Sequence, residues 1–160
     1  MPTTRAQARD EMFQLLLDAK DDLRDLLPLT AAFQQRWQGV ETPDEVSDAA
    51  KQMQGKFWTR AVTQVVDSRQ SAHVMTDEPG GSPAEWTTTG QVIVQVFAPR
   101  NVTDAYTLGD LLAGAIADIY RNVETPSGVW FNKSTAKEAT PENSFWRWNV
   151  TADFEFYERK

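Results

Sequence analysis

The clearest periodicity in the chain runs from Phe145 to Tyr157, where F-W-R-W-N-V-T-A-D-F-E-F-Y alternates apolar and polar positions. Trp146, Trp148, Val150, Ala152, Phe154 and Phe156 take one side, and Arg147, Asn149, Thr151, Asp153 and Glu155 take the other, which predicts a long half-buried strand. Burying the aromatic side contributes at most about 9 to 18 kcal/mol before ordering entropy is subtracted. No other stretch offers as much. The rest of the chain is therefore expected to supply neighbouring strands and a layer over that side.

Thr4 to Leu27 has the helical period, with Met12, Leu16, Ala19, Leu23 and Leu26 or Leu27 on one stripe. Thr3 or Thr4 caps it, and Pro28 ends it. From Pro28 to Gly55 the pattern is poorer. Ala31 to Gln38 reads as a short helix, and T-P-D-E at 42–45 has the cap, proline and early acids of a helix start, so 28–55 is expected to be a helical insertion. Lys56 to Val66 is rich in β-branched and aromatic residues and predicts a strand that continues, bent, towards Val74. Residues 76–90, full of turn formers, read as a mobile loop. Gln91 to Ala98 is a central strand stopped by Pro99. A helix with Leu108, Leu111, Leu112, Ala115, Ile116 and Ile119 on its apolar stripe starts at Thr103 or Asp104, where Asp104 reads as the cap. Gly128 to Ala136 is a further strand, followed by a loop at 137–143. The expectation is one α+β domain over residues 1–160. Its order is α-β-β-α-β-β, with a four-stranded, mainly antiparallel sheet and two principal helices on one face.

Composition narrows the chemistry. With no cysteine among 160 residues, disulfides, thiolate metal sites and a cysteine nucleophile are excluded. A single histidine, His73, would have to anchor any histidine-based catalytic or metal site, and no second ligand lies near it in sequence. The formal net charge of -7 argues against a broad basic surface for nucleic acid. No apolar run is long enough for a membrane span, and the first residues lack the apolar centre of a signal peptide, so synthesis in the cytoplasm is expected. Gly80-Gly81 lacks the setting of a phosphate loop, and Asp104, Asp110 and Asp118 are spread around their helix. The reading therefore contains no catalytic residue, no metal and no cofactor. Among six tryptophans, Trp58, Trp130, Trp146 and Trp148 fall in expected strands, and Trp86, beside the Gly/Pro-rich stretch, reads as a contact anchor or local packing.

Several features together resemble the tail terminator proteins of tailed bacteriophages. They are Ser68-Arg69-Gln70-Ser71, Gly90 leading into Q-V-I-V-Q-V-F-A-P, the helix Y-T-L-G-D-L-L-A-G-A-I-A-D-I-Y, Gly128-Val-Trp-Phe, and the closing W-R-W-N-V-T-A-D-F-E-F-Y-E. The resemblance spans about residues 57–158; the segment from Pro28 to Gly55 departs from it. It implies a structural virion protein that closes into a six-fold ring on the tail tube, ends tube growth, and offers the surface to which the neck attaches. The implied partners are further copies of the chain, the tube protein and a neck or stopper protein, at the tail–neck junction, with DNA passing through and no membrane. In that setting Arg69, Gln70 and Trp86 are expected at a subunit or tube interface. Arg147, Asn149, Thr151, Asp153 and Glu155 are expected at or near the DNA channel, or otherwise as a plainly solvated or neighbour-covered side. The alternatives are another neck component such as a stopper or head completion protein, a tail tube subunit, or a small-ligand α+β domain.

Overall fold

A computed structural model describes residues 3–39, 55–73, 84–142 and 144–159. In chain order these form α1 (Arg5–Asp18), α2 (Lys20–Asp25), β1 (Ala32–Trp37), β2 (Lys56–His73), β3 (Ala84–Pro99), α3 (Ala105–Ile119), β4 (Trp130–Glu142) and β5 (Phe145–Arg159). The long N-terminal helix expected from periodicity is thus two helices that meet at Ala19. Thr4 caps the first, its hydroxyl accepting from the Gln7 amide at 3.1 Å. Asp104 does not cap α3 through its side chain; it adopts a left-handed conformation, φ 61°, immediately before the helix.

The strands form one five-stranded sheet in the order β1-β2-β3-β5-β4. This overturns the four-stranded α-β-β-α-β-β expectation. The added strand, β1, pairs parallel to β2 from Ala32↔Lys56 to Trp37↔Ala61, which makes the sheet mixed. In A-F-Q-Q-R-W the period is two: Phe33, Gln35 and Trp37 share a side that meets α1. The Trp37 ring lies 5.4 Å from that of Phe13, and Gln35 Nε2 donates to the Leu16 carbonyl at 3.0 Å. Residues 32–37 are therefore strand where a helical insertion was expected, and the helix start expected at 42–45 lies outside the described residues.

Two further boundaries differ. β3 begins at Ala84, so the second half of the expected loop at 76–90 is paired strand, while 76–83 lie outside the described residues. Thr87, Thr88 and Thr89 are β-branched and pair on both sides, with β2 and with β5, which outweighs the turn formers before them. β4 runs on to Glu142, past Pro141; it is an outer strand, where a missing donor is tolerated.

All three helices lie on one face of the sheet. There Ala8, Met12 and Leu16 of α1 and Leu112, Ala113 and Ile116 of α3 are buried with Val92, Val94 and Val96 of β3 and Trp148, Val150, Ala152, Phe154 and Phe156 of β5. The predicted dry side of the last strand is this layer, except that Trp146 is only half-buried. β3 and β5 pair from Glu85↔Arg159 to Pro99↔Phe145, so the two most apolar strands sit at the centre of the sheet.

Candidate interaction surface

Among the described residues, the other face of the sheet carries no helix. Register places five rows across it from β2 to β4: Gln34–Trp58–Phe97–Arg147–Ala139, Arg36–Arg60–Gln95–Asn149–Lys137, Val62–Ile93–Thr151–Thr135, Gln64–Gln91–Asp153–Lys133 and Asp67–Thr89–Glu155–Trp130. Arg147, Asn149, Thr151, Asp153 and Glu155 therefore do share one face, and none of them is fully exposed. Each is in register with one residue of β3 and one of β4.

A small second core forms on this side. Trp58 and Phe97 stack with centroids 3.8 Å apart and planes 5° from parallel, and Phe145 meets both edge-on at 6.0 and 6.1 Å. Phe97 is 3% exposed although no helix covers it. Long polar side chains do the covering. The Arg36 guanidinium sits 5.8 Å over the Trp58 ring, Arg60 Nε donates to Gln95 Oε1 at 2.8 Å, and Arg147 Nη1 donates to Glu142 Oε2 at 2.8 Å. Gln91 Nε2 donates to Asp153 Oδ1 at 2.9 Å, with Lys133 in register with that aspartate. Trp58 Nε1, Arg147 Nε and Asn149 Oδ1 are buried in this patch without a hydrogen-bond partner among the described residues. Each such atom costs about 1–3 kcal/mol unless water or another chain supplies a partner. The face is thus neither an apolar docking patch nor a uniformly charged one; it alternates cations, anions and amides over a thin aromatic floor.

Above the region of β2 paired with β1, β2 and β3 run on as an arm, with β5 alongside β3. The residues expected at an interface lie here, on opposite faces. Arg69 is in register with Thr87 and Tyr157 on the helix-free side and lies 3.6 Å from Asp67. Gln70, Trp86 and Glu158 form a row on the helix side. In the adjoining row the Thr88 hydroxyl contacts Ser68 Oγ at 3.1 Å and donates to the buried Glu158 carboxylate at 3.1 Å. Sequence reasoning missed this polar row; the only signal was Thr88 at an even position among the apolar ones of β3.

Among the described residues no group of three His, Cys, Asp or Glu side chains could hold a metal ion, and no helix is long and apolar enough to cross a membrane. No family model matches the chain, and no curated protein matches it. Among solved structures, one matching chain superposes with a TM-score of 0.47 at 15% identity, covering 92% of this chain and 94% of that one. That likeness bears on neither the fold nor the function.

Proposed function

We propose that the chain is a structural subunit of a tailed phage that closes into a ring on the tail tube, ends tube growth and receives the neck. The reading rests on the resemblance of residues 57–158. One observation supports it: among the described residues the mixed sheet has helices on one face only, which leaves its other face and outer strands as surfaces that other chains could use. A subunit in a closed ring must present two different surfaces to its neighbours, and outer strands are ready-made contacts. The bare face mixes signs: Lys133 is in register with Asp153, Arg147 pairs with Glu142, and Arg36, Arg60 and Lys137 stand in one row, so DNA passing there would meet both charges.

Deletion of the gene in its phage tests this. Headless tails of excessive length are the expected result, and tails of normal length would remove the reading. A second reading, a tail tube subunit, gains from the long strands: among the described residues there are four, β2 to β5, against two helices of more than two turns. The purified protein separates the two, since a tube subunit polymerises into long hollow tubes by itself and a terminator gives single rings or capped tube ends in electron micrographs.

A further inference from the structure

β2 keeps its parallel partner only as far as Ala61. Beyond that point, among the described residues, Gln38 alone follows it, its amide donating to the Ala61 carbonyl and its Oε1 accepting from the Thr63 amide at 2.9 Å. Over 64–70 no described strand lies on the outer side of β2. Val65 and Val66 are 42% and 66% exposed there, and a register shift against β3 falls between Val65 and Asp67. A strand edge with exposed β-branched residues is normally covered.

Directly inward, between α1 and the sheet, lies a cleft of 210 Å³ walled by Met12, Val65, Phe154 and Phe156, with Arg5 and Arg9 among its lining. Gly90 makes room for its floor. It stands in register between Val65 and Phe154, and a Cβ there would come 2.6 Å from Phe154 Cζ. Val65 belongs both to the cleft wall and to the open edge. The two arginines are about half exposed and loosely held, Arg5 at 3.9 Å from Glu158 and Arg9 at 3.4 Å from its neighbour Asp10.

We propose that the outer edge of β2 over 64–70 and this cleft form one strand-addition site. Its ligand is an extended segment of a partner protein that places an apolar side chain in the cleft and a carboxylate beside Arg5 and Arg9. Main-chain hydrogen bonds to an edge supply affinity, and a pocket for alternate side chains supplies selectivity. A carboxylate on the segment complements Arg5 and Arg9, which line the cleft and are about half exposed. The site does not depend on ring formation.

The test is a titration of the 15N-labelled full chain with the nonapeptide acetyl-T-V-T-L-T-D-T-V-T-amide, followed by amide chemical shifts. Shifts centred on 64–70, Met12, Phe154 and Phe156, saturating below about 1 mM, are expected. Changing the peptide's leucine to alanine, or its aspartate to lysine, should weaken binding about fivefold or more, and Arg9→Glu should make the lysine peptide the better ligand. Shifts elsewhere, no saturation by several millimolar, or equal binding of all the peptides would overturn the proposal.

Discussion

Gly109 of α3 lies directly against the Trp148 indole of β5: a Cβ on Gly109 would come 2.6 Å from Trp148 Cη2 and 2.9 Å from the Ala98 Cβ. A helix-interior glycine is normally improved by alanine, by about 1 kcal/mol. Here the tryptophan is 1% exposed and cannot retreat, so overpacking outweighs propensity. Gly109→Ala is expected to destabilise by about 1–3 kcal/mol. Gly114, with nothing near its absent side chain, is expected to gain stability from the same change. Urea midpoints of the two variants against the parent check both signs.

Glu11 of α1 receives hydrogen bonds from the Ser127 hydroxyl at 2.6 Å and the Ser127 amide at 3.2 Å. Partial burial pushes its carboxyl up, but the bonds from Ser127 and Thr125 outweigh this and hold it below its ordinary value of 4.5. A depressed carboxyl stabilises the fold above the unfolded pKa and loses that contribution as pH falls through the folded one. Ser127→Ala is therefore expected to cost about 1 kcal/mol at neutral pH, discounted for solvent screening, and progressively less as the pH is taken below 4.5. Denaturant curves of both proteins at pH 7 and pH 3.5 measure the convergence.

Burial pushes the Tyr120 phenol well above its ordinary value of 10.0, and its hydroxyl donates to the Met12 carbonyl at 3.1 Å. The neutral form is the one the fold accommodates, so this contribution is complete below pH 10 and declines as the pH rises from there towards the folded pKa. Tyr120→Phe is expected to lose about 0.5–1.5 kcal/mol at pH 8 and to show a flatter fall of stability above pH 10. Thermal unfolding from pH 8 to 11, with absorbance at the tyrosinate band, follows it.

On the bare face, Asp153→Lys combined with Glu155→Lys is expected to leave the fold intact, at a cost of about 0.2–1 kcal/mol per site from facing like charges. Lys133 stands in register with Asp153, and Gln91 loses its acceptor there. In the phage, a channel position predicts slowed DNA ejection or altered DNA retention by otherwise complete particles. Particles indistinguishable from the parent would remove these residues from the channel.

The last strand was legible because its alternation runs unbroken from Trp146 to Phe156, and one register satisfies every residue of it. β1 was not, since Q-Q-R is polar on either period and only packing against Phe13 and Leu16 decides it. The same reason hid the strand character of Thr87 to Thr89, whose pairing partners lie far away in sequence. The five polar positions of β5 were visible as a set. Helices on one face were expected too, but the aromatic floor of Trp58, Phe97 and Phe145 beside those positions was not, because it depends on register between strands far apart in sequence. The cleft over Gly90 depends on a glycine that reads in sequence as a loop residue.

The central pairing of β3 with β5 is made across α3 and β4. During synthesis, β3 is complete well before its partner exists, and one side of its backbone must wait, open, until β5 has been made. Premature termination anywhere in that interval releases a chain whose Val-Ile-Val-Gln-Val strand has one edge without its partner, the kind of product that chaperones hold or proteases clear.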